Sequence, residues 1–140
     1  VLTPHAGEFA RLTGCALPIG DKVRAARDFA KAHRCTLVLK GHGTVTAAPD
    51  GHVWINGTGN PGMAKGGSGD VLAGMLAAFL GQKHLKGPHI TWSELAAAAV
   101  WRHGRAGDLC AQALGEYAML PTDVIEALPR VMETQRAGRD

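Results

Sequence analysis

Between Gly57 and Gly74 the chain gathers residues suited to phosphate chemistry. Gly57-Thr58-Gly59-Asn60 is followed by Met63-Ala64-Lys65-Gly66-Gly67-Ser68-Gly69-Asp70-Val71-Leu72. Val71, Leu72, Met75, Leu76 and Phe79 then repeat at i, i+1, i+4, i+5 and i+8, the apolar stripe of a helix. A helix start leaves its first N–H groups without helical acceptors and carries roughly half a positive charge. Glycines let a phosphate approach those N–H groups closely. Gly67, Ser68 and Gly69 are therefore expected to form an anion hole, with Asp70 in the first helical turn. A carboxylate beside a phosphate is unfavourable unless it takes part in the reaction. Asp70 can accept the proton of a hydroxyl that attacks the terminal phosphate, a role typically worth ~10²–10⁴-fold. The glycine N–H groups would stabilise charge on the transferring phosphoryl group. The plain alternative is a tight turn whose aspartate favours the helix dipole.

Other phosphate and metal motifs do not fit. A Walker A loop needs Gly-Lys-Ser/Thr after its spacers, and here Lys65 precedes the glycines. The dinucleotide fingerprint needs a preceding strand and a β-α-β unit. The histidines have no zinc-ligand spacing, so no direct protein ligand to a metal is expected. Cys15, Cys35 and Cys110 are far apart and odd in number, which reads as reduced thiols in a cytoplasmic protein. No apolar run reaches the ~18 residues of a membrane span. The net charge of +3 suits anionic small molecules, and no basic run interleaved with aromatics points to nucleic acid.

The elements that must position these residues follow an α/β pattern. A short strand over 1–3 stops at Pro4. A helix over 8–13 ends at Gly14, and Asp21 caps a helix over 22–33. Residues 36–40 form a strand whose run Leu37-Val38-Leu39 predicts burial on both faces, as in a parallel sheet. Strands over 44–48 and 52–56 are joined by Pro49-Asp50-Gly51, which has hairpin-turn chemistry. The apolar helix covers 69–80. Thr91-Trp92-Ser93-Glu94 matches a capping box for a helix to about His103. Another helix is expected over 105–114, and Thr122 caps a last one over 123–133. Residues 134–140 are polar and expected to fray. At 140 residues the chain is one domain or part of one. It opens at Val1 on what reads as the end of a strand, the pattern of a fragment.

The segment from Asn60-Pro61-Gly62-Met63-Ala64-Lys65 through Gly66-Gly67-Ser68-Gly69-Asp70 to Val71-Leu72-Ala73-Gly74 resembles the signature of the NAD(P)H-hydrate dehydratases, in the ribokinase-like superfamily. Thr3-Pro4-His5-Ala6-Gly7-Glu8 resembles the family's Thr-Pro-His-x-Gly-Glu. Lys40-Gly41-His42-Gly43-Thr44 resembles its Lys-Gly-x-x-Thr. His103-Gly104-Arg105-Ala106-Gly107-Asp108 resembles its His-Gly-x-x-Gly-Asp. The resemblance implies the C-terminal half of a three-layer α/β/α domain, with a mostly parallel sheet and a β-hairpin. It implies that ATP or ADP drives dehydration of hydrated NADH or NADPH, by phosphorylation of the hydrate hydroxyl and elimination of phosphate.

On that resemblance Asp70 is the base and also contacts substrate, and His5 contacts the hydrated nicotinamide. Lys40, Gly41, His42, Gly43, Thr44 and Gly69 bind the nucleotide. Asn60 helps order the phosphate and its Mg²⁺. Taken alone, Lys40 reads as a solvated strand-end lysine and Glu8 as a helix cap, and His103 and Asp108 read as packing and capping residues. Two rival readings stand beside this one. The first is a ribokinase-like kinase of a sugar, hydroxymethylpyrimidine or thiazole alcohol. The second is a non-catalytic nucleotide-binding or assembly piece, because the domain's N-terminal half is expected to be missing. An open strand edge predicts pairing with that segment or a homo-oligomer.

Overall fold

In the computed structural model, which describes residues 1–133, the apolar run Leu37-Val38-Leu39 is strand β1 (Leu37–Leu39), buried throughout. β2 (Val45–Ala47) and β3 (Val53–Ile55) follow it in the order β1-β2-β3. Both pairings are antiparallel, with Val38 opposite Thr46 and Thr46 opposite Trp54. The expected mostly parallel sheet is corrected here. Residues 40–44 and 48–52 are too few for the crossover that parallel neighbours need, so each connection folds back as a hairpin. Parallel pairing survives on the other side of β1 as two bridges, Leu2 with Leu37 and His5 with Lys40. There Val38 N–H donates to Leu2 C=O at 2.8 Å and Lys40 N–H to Pro4 C=O at 2.9 Å.

The chain divides into two units. Val1–Gly57 and Gln82–Ala97 make the first, and Thr58–Gly81 with the described residues from 98 to 133 the second. In the first, α1 (Ala6–Thr13) ends at Gly14 as expected, and Asp21 caps α2 (Lys22–Ala32) by accepting Arg24 N–H at 2.8 Å. α2 packs on β1 and β2. Phe9, Ala26, Ala30, Leu37, Leu39, Val45 and Ala47 form the core, and Phe9 meets Phe29 edge to face at 5.4 Å. Below the sheet, the buried Thr36 and Ser93 hydroxyls share a 2.8 Å hydrogen bond.

The second unit is helical. α3 (Ser68–Gly81) buries Leu72, Met75 and Leu76 from the expected stripe. α4 (Trp92–Leu114) begins with the predicted capping box. Thr91 N–H donates to Glu94 at 2.6 Å, and Glu94 N–H donates to Thr91 Oγ1 at 3.1 Å. The expected break near His103 is absent, and one helix runs through Gly104. α5 (Pro121–Glu133) also corrects an expectation, since Thr122 lies inside it. Asp123 reaches back to Leu120 N–H at 2.7 Å instead, and Pro121 opens the helix where its missing N–H has no helical acceptor to lose. Ala106, Cys110, Met119, Val124, Ala127 and Val131 form this core. The tail 134–140 lies outside the described residues.

Candidate functional site

The glycine segment enters α3 through a tight turn. Ser68 N–H donates to Lys65 C=O at 3.2 Å, and Asp70 N–H to Gly67 C=O at 3.0 Å. The N–H groups of Gly67 and Gly69 have no acceptor among the described residues. Of the three residues expected to bind an anion, Gly67 and Gly69 therefore present free donors, while the Ser68 N–H is engaged. Asp70 is exposed, and its carboxylate has no hydrogen-bond or ion-pair partner among the described residues. A carboxylate in that state is free to take a proton from a substrate hydroxyl.

α4 holds this segment by close approach. A Cβ on Gly104 would stand 2.2 Å from Thr58 Oγ1 and 2.8 Å from the Thr58 backbone carbonyl carbon. One on Gly107 would stand 2.3 Å from Met63 Sδ. At Gly104 only glycine admits the loop, since the Thr58 backbone cannot move aside, whereas at Gly107 the neighbour is the flexible Met63 side chain, which can shift. Thr58 Oγ1 donates to Trp101 C=O at 2.9 Å. Both Asp108 carboxylate oxygens accept Gly59 N–H at 3.1 Å, and Oδ1 also accepts Asn60 Nδ2 at 3.2 Å. Asn60 Oδ1 in turn accepts Gly62 N–H at 3.1 Å, capping a short 3-10 turn over Pro61–Met63. His103 is 8% exposed. Burial pushes its pKa from 6.5 to about 4, opposed in part by a hydrogen bond to the Ser68 backbone, so the ring is neutral at physiological pH. Its Nε2 has no partner among the described residues. On the other side, Lys65 Nζ donates to the carbonyls of Glu116 at 3.3 Å, Tyr117 at 2.8 Å and Met119 at 2.5 Å.

In the first unit the site residues are side chains held by side chains. His5 caps α1. Its N–H donates to Glu8 Oε2 at 2.6 Å, and Glu8 N–H donates to His5 Nδ1 at 3.2 Å. Because Nδ1 accepts, the neutral ring carries its proton on Nε2, which lies 3.5 Å from Glu8 Oε1. The hydrogen bond from His5 N–H holds the Glu8 carboxyl below its ordinary range, with His5 and Lys40 adding smaller effects. Lys40 Nζ stands 3.9 Å from Glu8 Oε2. The structure thus brings His5, Glu8 and Lys40 together at the strand end. The loop after Lys40 is pinned by Thr44, whose hydroxyl donates to Gly41 C=O at 2.9 Å and accepts Gly41 N–H at 3.3 Å.

A sequence profile for NAD(P)H-hydrate dehydratase matches residues 1–130. The chain belongs to the NAD(P)H-hydrate dehydratase family. Over 134 residues it is 46% identical to the bifunctional NAD(P)H-hydrate repair enzyme Nnr of Moorella thermoacetica, covering 94% of this chain and 24% of that enzyme. The ADP/ATP-dependent NAD(P)H-hydrate dehydratase of Bacillus subtilis, co-crystallised with ATP and Mg²⁺, superposes with a TM-score of 0.86 at 35% identity, covering 96% of this chain and 47% of that one. A ribokinase-like superfamily protein of Enterococcus faecalis matches with a TM-score of 0.78 at 34% identity, over 96% of this chain and 44% of that one. The fold is therefore ribokinase-like α/β. The chain spans about half the length of these solved relatives and about a quarter of the bifunctional enzyme.

Within the family pattern, His-Gly-x-x-Gly-Asp lies against the glycine segment. His103 is buried as a packing residue, while Asp108, expected to cap a helix, lies inside α4 and accepts Gly59 N–H and Asn60 Nδ2 instead. What sequence reasoning missed is which backbone atoms it holds. Lys65 was likewise read only as a residue out of place for a Walker loop. Its three carbonyl partners lie more than 50 positions along the chain, so no local spacing announces them.

Proposed function

We propose that residues 1–140 are the C-terminal part of one NAD(P)H-hydrate dehydratase domain, and that the complete domain uses ADP or ATP to return hydrated NADH or NADPH to its reduced form. The observation that carries this reading is the free Asp70 carboxylate next to the unbonded N–H of Gly69. Asp70 takes the proton of the hydrate hydroxyl as that oxygen attacks the terminal phosphorus of the nucleotide. The N–H groups of Gly67 and Gly69 bind the phosphoryl oxygens. The bond from the terminal phosphorus to its bridging oxygen breaks and the shortened nucleotide leaves. The C–O bond of the phosphorylated hydrate then breaks, phosphate departs, and the neighbouring ring carbon loses a proton to solvent as the dihydronicotinamide double bond forms. Lys40, Gly41, His42, Gly43, Thr44 and Gly69 hold the nucleotide, and the Nε2–H of His5 donates to the hydrated nicotinamide. Asn60 orders the phosphate from its place beside Asp108.

Mg²⁺ enters as an ion carried by the nucleotide phosphates, whose charge it neutralises. Among the described residues no group of three or more His, Cys, Asp or Glu side chains is placed to hold a metal. No described helix is long and apolar enough to cross a membrane. The free thiol of Cys15 is exposed, which supports a reducing, cytoplasmic setting. We further propose that the chain associates with a copy of itself or with the remainder of the domain. Size-exclusion chromatography should show that association, and a stable lone monomer would oppose it.

The test of function supplies hydrated NADH, Mg²⁺ and ADP or ATP, and follows absorbance in the dihydronicotinamide band. Recovery of that band with one nucleotide consumed per turnover is expected from the complete domain. Phosphorylation of a sugar or vitamin-precursor alcohol without such recovery would replace this reading with that of a small-molecule kinase.

A further inference from the structure

Lys22 opens α2 and reaches the loop that follows β1. Its Nζ donates to His42 C=O and to Gly43 C=O, each at 3.1 Å. It also lies 3.4 Å from where a Cβ on Gly41 would stand. Two successive carbonyls therefore turn toward one ammonium group. In a trans peptide the N–H points opposite to the C=O. The N–H groups of Gly43 and Thr44 belong to those two peptides, so they turn away from Lys22 together. Neither has an acceptor among the described residues. Gly43 adopts the left-handed conformation, φ 58°, and a turn of this kind brings successive N–H groups into an anion-binding concavity.

We propose that Lys22 is a positioning residue for nucleotide phosphate: by holding the His42 and Gly43 carbonyls on one side, it presents the Gly43 and Thr44 N–H groups on the other. The inference rests on the nucleotide reading of this loop given above. A second feature supports it. Lys22 makes no ion pair among the described residues, and burial lowers its pKa from the ordinary lysine value. A half-buried cation held only by carbonyl dipoles is unfavourable by itself. A phosphate bound on the far face of the same peptides would polarise them in the direction that favours it.

The test uses the complete domain that contains this chain, with ADP and with adenosine, which shares the base and sugar but lacks phosphate. Titration calorimetry should show Lys22→Met weakening ADP by about tenfold, the loss expected for a hydrogen-bonded charge, while adenosine affinity stays unchanged. Lys22→Arg, which keeps a cationic donor, should restore ADP binding. In the wild-type domain the amide resonances of Gly43 and Thr44 should move on adding ADP and stay in place on adding adenosine. This measurement needs no variant to fold. Equal loss of both ligands, or ADP bound equally well by Lys22→Met, would reduce Lys22 to a staple of the hairpin and overturn the inference alone. A complete wild-type domain that binds neither ligand would overturn the nucleotide reading and this inference with it.

Discussion

Residues 40–44 and residues 57–70 are both glycine-bearing segments, yet they are fixed in different ways. Around the first, charged and polar side chains do the holding. Lys22 takes two carbonyls, Thr44 pins Gly41, and Glu8 lies near both His5 and Lys40. Around the second, side chains such as Lys65 and Asp108 share the holding with close backbone approach. Gly104 and Gly107 let the loop lie against α4, and Asp108 then ties its backbone. A loop held by side chains can shift with its ligand. One that is also held by close backbone approach, as Thr58 is against Gly104, has less freedom. Charge stabilisation in phosphoryl transfer depends on donors that are already in place, so under the proposed function the more closely held segment is the one that leads into Gly67 and Gly69.

The sharpest way to break this contrast is to remove the side chain in the second segment assigned to proton transfer. Asp70→Asn keeps size and polarity but cannot accept the hydroxyl proton. Turnover by the complete domain should fall by ~10²–10⁴-fold, the range of general-base assistance, with nucleotide affinity retained. Near-normal turnover in steady-state kinetics would leave Asp70 as a dipole-favouring residue and return the segment to a plain turn.

How far each segment was legible beforehand follows from how it is held. The Asp21 cap, the Thr91–Glu94 box and the Pro49-Asp50-Gly51 turn all act across three residues or fewer, and the pattern of residue types displays them. At α1 the sequence suggests only a Glu8 cap and a start at residue 8, whereas the helix starts at Ala6 with His5 as its cap and Glu8 closing the box. The direction of the sheet was misjudged because burial of Leu37-Val38-Leu39 reports only that both faces are covered, and a hairpin strand can be covered as well. The sequence suggests two helices meeting near His103, and glycine at 104 disfavours a continuous helix by about 1 kcal/mol. Its reason for being there is Thr58, 46 positions earlier in the chain, and no local pattern carries that contact. Lys22 fails to show for the same reason, its partners lying 20 and 21 residues away.

His103 offers the next largest test. The unfolded chain takes up a proton on this residue near pH 6.5, the folded chain only near pH 4. Between those values the unfolded state binds more protons, so stability is complete above the window and declines as pH falls through it. The total decline attributable to His103 is about 3 kcal/mol. Urea midpoints measured from pH 7 to pH 4 should show it, and His103→Gln should flatten the slope across that range. An unchanged slope would mean that the imidazole is solvated and does not brace Ser68.

The smallest effects separate close approach from glycine's other properties. Gly104→Ala gains helix propensity, yet its Cβ meets the Thr58 backbone carbon and oxygen at 2.8 Å. Backbone atoms cannot swing aside as a side-chain tip can. A net loss of about 1–3 kcal/mol is expected, typical of overpacking. Gly74 is the control. It lies on the exposed face of α3, and a Cβ there meets nothing within 4 Å. Gly74→Ala should stabilise the chain by about 1 kcal/mol, the propensity difference alone. Chemical denaturation of the two variants side by side gives opposite signs if α4 supports the loop by contact. Matching signs would show that the loop rests elsewhere, and that the segment around Gly67 is no more rigidly held than the one around Lys40.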